Sequence, residues 1–246
     1  MQKTSRRLIS VFVLMALLVS ITPVIAQAAQ NTQPGKDRAV FIHYKNGTVK
    51  PASPGKGGLA AKDYVFLAKG AKWKTLPVNY VIDPDNANGL SDVFITNAVS
   101  MAVEEWDRYT GTELFGSYTI DRNATWDDQM QDGRNEILFG SYPDQKVIAI
   151  TVVWGWFSGP AQTRQITEMD VLFNNYYTWG DSTIDPSTMD VQNIATHEIG
   201  HGAGLGDLYY TTSVDETMYG YSREGETKKR DLFTGDIAGI RALYGN

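Results

Sequence analysis

The 246-residue sequence contains no cysteine and only three histidines, His43, His197 and His201. The absence of cysteine excludes disulfide bonds, thiolate zinc ligands and thiol catalysis. The formal net charge is −6, so the chain lacks the basic excess that binds phosphate backbones, and nucleic acid is not an expected partner. Hydrophobic content of 42% and charged content of 20% are ordinary for a soluble globular protein.

Long apolar runs are also scarce, and the main one lies near the start. Leu8–Ile21 is almost wholly apolar, follows three basic residues and is broken by Pro23. Ala26–Ala28 has the small-x-small form that signal peptidase cleaves, so residues 1–28 are predicted to be a secretory signal peptide and the protein to be extracellular. An uncleaved anchor is the alternative, but the run is short of the ~20 residues that a spanning helix needs, so no stable membrane anchor is expected.

The segment that follows, residues 29–69, is rich in glycine, proline, lysine and alanine. It is interpreted as a linker or a short propeptide, and both readings stay open. Ala39–Tyr44 is a candidate short strand. His43 has no ligand residues at metal spacing, so it is interpreted as a surface or packing residue and not as a ligand.

A folded domain is predicted over residues 70–246. Alternating side chains indicate a strand over 78–82, and β-forming runs indicate others over 114–120, 136–139, 147–156 and 166–173. Ser91 is predicted to cap a helix from Asp92 to about Tyr109. Its core-facing stripe is predicted to consist of Phe94, Ala98, Met101, Ala102 and Trp106.

Two further helices are expected toward the end of the chain. Ser187, with Asp190 three residues later, resembles a capping box and predicts a helix from Thr188 that carries the two later histidines. Thr234 is predicted to cap the last helix, whose buried face is Ile237, Ile240 and Leu243.

The histidines of the first of these helices have the spacing of metal ligands. His197 and His201 are four residues apart, one turn along the same helical face, so both imidazoles can hold one Zn²⁺. Glu198 lies roughly 100° round the helix from His197. A carboxylate there lies beside the metal, where it can take a proton from activated water and pass it to a leaving amine.

A catalytic zinc needs a third protein ligand, and the remaining histidine lies far upstream. A carboxylate is therefore favoured. Gly204 can end the helix and turn the chain back, because glycine adopts positive φ without penalty, and Asp207 can then reach the metal. Glu216 and Glu224 are the alternatives by distance in sequence.

The stretch from His197 to Asp207 resembles the metzincin signature HExxHxxGxxH, with aspartate in place of the last histidine. Glu216–Gly220 resembles the Met-turn, and Gly235–Gly245 resembles the last helix of matrixins. The resemblance covers Lys72–Asn246. It implies an α+β, zincin-like (metzincin) domain with a twisted mixed sheet, an active-site helix, a Met-turn and a C-terminal helix.

The resemblance also implies roles for single residues. His197, His201 and Asp207 would be the zinc ligands and Glu198 the general base, with Gly204 and Met218 in structural roles. In matrixins the equivalent of residues 148–153 is an edge strand along the upper rim of the cleft, which pairs with the substrate backbone.

The sequence departs from related patterns at two places. Gly220 stands where astacin-like and serralysin-like enzymes carry a tyrosine, so neither Tyr219 nor Tyr221 is assigned to catalysis. Gly235 stands where matrixins usually have the first of two aspartates, and only Asp236 is present. The contact usually made by that first aspartate to the mature N-terminus is therefore not expected.

The leading hypothesis is a secreted, monomeric zinc endopeptidase that acts on proteins or peptides. A zinc exopeptidase or thermolysin-like enzyme, and a non-catalytic extracellular zinc-binding module, are the alternatives. Gly204 disfavours the thermolysin-like reading, and Glu198 disfavours the binding module, since binding alone needs no base. The acidic stretch Asp121–Asp132 is either a Ca²⁺ loop or, more commonly, a solvated loop.

Overall fold

A seven-stranded mixed sheet forms one layer of the protein in the computed structural model, which describes residues 36–48, 63–126 and 128–246. The predicted signal peptide lies outside these ranges. In chain order the strands are β1 (Asp37–Lys45), β2 (Val65–Phe66), β3 (Val78–Ile82), β4 (Phe115–Ile120), β5 (Glu136–Gly140), β6 (Val147–Trp156), β7 (Gln165–Asn174), β8 (Trp179–Gly180), β9 (Met189–Asp190), β10 (Leu205–Gly206) and β11 (Tyr221–Ser222).

The sheet order is β11-β1-β6-β7-β5-β3-β4. β6 is antiparallel to both β1 and β7, whereas β7, β5, β3 and β4 are parallel to one another, and β11 is parallel to β1. β2 pairs with β10 and β8 pairs with β9 in two small ladders. The longer strands of the domain lie within one residue of the predicted bounds, because each is a β-forming run ended by polar or turn-forming residues.

The described ranges contain three α-helices: α1 (Asp92–Asp107), α2 (Val191–Gly202) and α3 (Thr234–Tyr244). Ser91 caps α1 as predicted, accepting a hydrogen bond from the Phe94 backbone N–H at 3.2 Å. The other two predicted caps are wrong. Asp190, at the end of β9, caps α2 in place of Ser187, and Phe233 precedes α3 with its N–H bonded to Asp236. No helix within the described ranges has the length and apolar character to cross a membrane.

The buried face of α1 differs from the predicted stripe at Met101, which is 56% exposed. Ile95, Val99 and Val103 are buried instead, together with the predicted Ala102 and Trp106. The indole N–H of Trp106 donates to the backbone oxygen of Thr196 at 2.8 Å, which ties α1 to α2. That contact fixes the rotation of the helix and turns Met101 toward solvent.

The edge of β6 that the resemblance assigned to substrate is occupied by β1. The strand pairing runs from Asp37 opposite Gly155 to Tyr44 opposite Val147. The predicted short strand at Ala39–Tyr44 therefore exists and is longer than expected. Because local sequence does not report which strands pair, the position of β1 beside β6 could not be predicted.

Candidate metal centre and cleft

Three donor atoms converge at the C-terminal half of α2. His197 Nε2 and His201 Nε2 are 3.2 Å apart, and each lies 3.3 Å from Asp207 Oδ1. Both imidazoles are fully buried, and the Asp207 side chain is 8% exposed. The structure thus brings together the three residues that the sequence proposed as metal ligands.

The hydrogen bonds of the two imidazoles fix their tautomers. His197 Nδ1 lies 2.7 Å from the Thr217 backbone oxygen, and His201 Nδ1 lies 3.0 Å from that of Leu205. A carbonyl oxygen only accepts, so both Nδ1 atoms carry a proton, and both Nε2 atoms face Asp207.

Two imidazole nitrogens and a carboxylate oxygen that face one point are suited to bind a cation. Among the described residues, the buried Asp207 Oδ1 has no hydrogen-bond partner. Burial lowers the pKa of His197 to about 3, which keeps that imidazole neutral, whereas the Asp207 carboxylate raises the pKa of His201 against the effect of burial. Nitrogen and carboxylate donors in this number suit Zn²⁺ and leave a position open. The residues therefore fit a zinc ion, although the ligand assignment itself stays a prediction.

Tyr209, which the sequence analysis did not single out, orients Asp207. Its hydroxyl donates to Asp207 Oδ2 at 2.8 Å, leaving Oδ1 free to face the histidines. Burial and the neighbouring Asp207 charge raise the Tyr209 pKa, so the phenol stays protonated and remains a donor. A tyrosine two residues beyond a candidate ligand has no recognisable sequence signal.

Gly204 provides the turn that returns the chain to the histidines. Its φ is +104°, and a Cβ at this position would lie 2.6 Å from the Ala71 backbone oxygen. Leu205 then pairs with Phe66 in the β10–β2 ladder. A side chain at Gly204 is therefore disfavoured both by backbone conformation and by lack of space.

The Met218 turn lies under α2. Met218 is 1% exposed, and a Cβ on Gly200 would approach its Sδ to 2.3 Å. Asp236, from α3, accepts the N–H groups of Thr217 at 2.6 Å and Met218 at 3.1 Å. Since the Thr217 carbonyl holds His197, this turn sets the orientation of one candidate ligand.

The two alternative carboxylate ligands lie elsewhere. Glu216 accepts the backbone N–H groups of Gly235 at 3.0 Å and Asp236 at 3.2 Å. Glu224 bonds to the Lys45 ammonium at 2.6 Å. Neither belongs to a group of potential metal ligands among the residues that the structure describes.

Glu198 is fully buried and lies in a second group of polar side chains with His43 and His197. Its Oε2 accepts a hydrogen bond from the Thr151 hydroxyl on β6 at 2.5 Å, and its Oε1 lies 3.0 Å from His43 Nδ1. Burial raises the pKa of Glu198 to about 7, against the lowering effects of His201 and Thr151. A carboxylate with a pKa near neutrality can both accept and return a proton.

His43 is fully buried in contact with this site, so the surface interpretation is wrong, and with His197 and Glu198 it forms a second group of potential metal ligands. Its ring centroid lies 3.9 Å from that of His197, and its Nε2 lies 3.1 Å from Lys229 Nζ. Phe41, two residues earlier on β1, stacks on His201 with ring centroids 3.9 Å apart and planes within 8°. These contacts cross 154 residues or more of sequence, which no motif spacing reports.

The acidic stretch Asp121–Asp132 forms local contacts. Asp121 pairs with Arg134 at 2.6 Å, and Asp132 accepts the Arg134 backbone N–H at 2.8 Å. Asp127 lies outside the described residues. Calcium in this loop stays an untested prediction.

Comparison with known proteins identifies relatives of the domain. The family model described as Matrixin matches residues 72–245. The hatching enzyme of Paracentrotus lividus is 29% identical over 198 residues, covering 68% of this chain and 31% of that protein. Matrix metalloproteinase-19 of Homo sapiens is 33% identical over 93 residues, 36% of this chain and 17% of that protein. Metalloendoproteinase 1-MMP of Arabidopsis thaliana is 44% identical over 57 residues, 23% of this chain and 15% of that protein.

These curated relatives are longer than the matched regions. The chain covers about a third of the hatching enzyme and less of the other two. The family match, together with the seven-stranded mixed sheet and C-terminal helix, confirms the predicted α+β, zincin-like fold.

Proposed function

Because the chain belongs to the matrixin family of zinc-dependent metalloendopeptidases, we propose that it is a secreted zinc endopeptidase. The observation that carries the proposal is the convergence of His197, His201 and Asp207 within 3.3 Å of one another, with Glu198 buried beside them. Its substrates are proteins or peptides that bind in extended form along the sheet edge.

His197, His201 and Asp207 would hold the metal, each fixed by a second hydrogen bond on its far side. Zn²⁺ bound there supplies Lewis-acid activation of water and of the scissile carbonyl. The three side chains need not reorganise, since their other polar atoms are already paired with Thr217, Leu205 and Tyr209.

Glu198 would take the proton from the attacking water and return it to the leaving amine. The Thr151 hydroxyl holds one carboxylate oxygen and directs the other toward the cleft. The pKa near 7 favours both halves of this transfer at neutral pH. Such a base is not needed by a non-catalytic binding module, and its presence supports the enzyme hypothesis.

The cleft supports cleavage within a chain and not at its end. β1 extends for nine residues along β6, with residues on both sides of the His43 position. A polypeptide can therefore continue in both directions past Glu198, which a zinc exopeptidase would block on one side.

The test is proteolysis of casein by protein recovered from culture supernatant, with 1,10-phenanthroline and with Zn²⁺ restored. We expect chelator-sensitive cleavage that returns with zinc. Cleavage unaffected by the chelator would contradict the zinc mechanism. N-terminal sequencing of the same sample tests secretion, with a start near Ala29 expected and a membrane-bound chain retaining Met1 as the opposing result.

A further inference from the structure

β1 lies in the cleft with both of its edges paired. On one side it is antiparallel to β6, and on the other it is parallel to β11, which follows the Met218 turn. Asp37 to Tyr44 are paired with β6, and Tyr44 and Lys45 are paired with Tyr221 and Ser222. An extended peptide that adds a strand to a sheet edge makes this kind of contact. A substrate strand and β1 thus compete for the same backbone groups.

The side chains of β1 point alternately to the two faces of the sheet. Phe41 and His43 face α2, where they stack on His201 and His197. Val40, on the opposite face, is 43% exposed. A substrate strand that replaced β1 would place one side chain in the fully buried position of His43, between His197 and Lys229.

Lys229 closes the inner end of that position and is fully buried. Its Nζ donates to the backbone oxygens of Tyr219 and of Tyr221, the latter at 3.0 Å, and to His43 Nε2 at 3.1 Å. Burial lowers the pKa of Lys229 to about 8, so the group is mainly cationic at neutral pH. Among the described residues it forms no ion pair with a carboxylate, and its three donors have these three acceptors.

An apolar side chain at the His43 position would leave one donor of this buried cation without an acceptor. An unpaired buried donor is costly, and a site built to hydrogen-bond a substrate group rejects an analogue that lacks it. His43 also contacts Glu198. Because this carboxylate would repel a negatively charged substrate side chain at the same position, a neutral acceptor is favoured.

We propose that β1 occupies the cleft as a substrate strand would, and that Lys229 makes the enzyme select a substrate residue with a neutral hydrogen-bond acceptor, such as glutamine or histidine, at the His43 position. The selection of a substrate rests on the proposed endopeptidase function, but the hydrogen-bonding preference of the pocket can be tested without catalysis. Methionine is the matched negative case, since it has nearly the size and flexibility of glutamine but only a weak sulfur acceptor.

The first test uses β1 itself as the ligand. His43→Gln and His43→Met are made in the full chain, each with Lys229 and with Lys229→Met, and amide hydrogen exchange of residues 37–45 is measured. With Lys229 present, we expect exchange in the methionine variant to be about tenfold faster or more than in the glutamine variant. With Lys229→Met, that difference should disappear, which is the coupling that a double-mutant cycle isolates.

Val40→Gln and Val40→Met provide the matched control, because the same two side chains are introduced on the exposed face of the same strand. Their exchange rates should differ little and should not depend on Lys229. Equal protection of the His43→Gln and His43→Met variants, or a difference that persists with Lys229→Met, would overturn the proposal.

The second test needs no change at Lys229 and covers the case in which Lys229→Met does not fold. The His43→Met chain, with its loosened β1, is assayed against two peptides that differ only in glutamine or methionine at the corresponding position. We expect kcat/KM to be about tenfold higher or more for glutamine. Cleavage of both peptides at equal rates would contradict the selectivity while leaving the peptidase function standing. If neither peptide is cleaved but the exchange difference holds, the pocket inference stands and the proposed function fails.

Discussion

The candidate metal centre and the His43 pocket lie on either side of the same imidazole but are built in different ways. The metal centre takes all three donors from the eleven residues His197–Asp207. The pocket is assembled from β1, α2 and the 3₁₀ helix Lys228–Arg230, with contacts that span 155 and 186 residues of sequence. Donor groups set by helical periodicity and one glycine can be read from sequence, whereas groups set by strand pairing cannot.

The largest loss of zinc binding and cleavage is expected from a substitution in the candidate metal centre. Asp207→Ala should abolish cleavage, because an oxygen that binds the zinc directly is lost. Zinc binding should weaken by more than the ~10–100-fold typical of losing a residue that only hydrogen-bonds to a ligand. Asp207→His should retain a working site, since imidazole is a common zinc ligand. Metal analysis after dialysis and competitive titration with a chelating dye measure both.

Asp215→Ala serves as the control, because that side chain is 77% exposed. The opposite outcome would be full zinc stoichiometry and normal turnover in Asp207→Ala, with both lost in Glu216→Ala. In that case the third ligand would not come from the His197–Asp207 stretch.

Tyr209→Phe tests whether the local site depends on a residue outside the motif. Without the hydroxyl, Asp207 loses the bond that orients it, and zinc affinity should fall about tenfold or more. Tyr210→Phe is the matched control, because Tyr210 is 45% exposed. Equal zinc affinities in the two variants would show that Tyr209 does not support the ligand.

Phe41→Ala tests the His43 pocket, whose contacts join residues distant in sequence. Loss of the stacked ring on His201 should weaken the docking of β1 and raise peptide hydrolysis by the intact chain about tenfold. Val40→Ala should leave hydrolysis unchanged. Mass spectrometry must show that residues 36–48 are still attached. If the two variants have the same activity, β1 does not obstruct the cleft.

A smaller effect is expected in the sheet, away from both sites. Burial raises the pKa of Asp170 to about 8. The folded protein therefore keeps a proton that the unfolded chain releases near pH 4, so stability should fall as pH rises from about 4 to about 8.

Asp170→Asn should remove this contribution to the pH dependence. Between pH 5 and 8, the free energy of unfolding, measured by urea denaturation with EDTA, should then change by about 1–3 kcal/mol less than in the wild type. Asp215→Asn should keep the wild-type slope. An unchanged slope in Asp170→Asn would assign the pH dependence to other groups.

The sequence predicted the parts of the fold that depend on local periodicity. β6 has the predicted bounds and the turn at Gly204 is where the pattern placed it, while the HExxH helix begins at Val191, three residues after the predicted Thr188. The prediction was wrong where a tertiary contact decided between nearby options. Met101 is exposed because Trp106 fixes the rotation of α1, and Asp190 caps α2 because β9 occupies the preceding residues.

The candidate site divides in the same way. Glu198 and the three candidate ligands were identified by spacing, while their hydrogen-bond partners were not. Tyr209, Thr151 and Lys229 contact the site from separate elements, and none lies at a spacing that a single sequence would single out. Side-chain partners that depend on tertiary packing need the structure.

Glu198→Gln in the secreted protein tests the central claim most directly. The amide keeps the size of the side chain but cannot accept the proton, and Glu198 is proposed as the base and not as a ligand. Zinc content should equal that of the wild type, while peptide hydrolysis should fall by about 10²–10⁴-fold. Retained hydrolysis, or loss of zinc together with hydrolysis, would contradict the account.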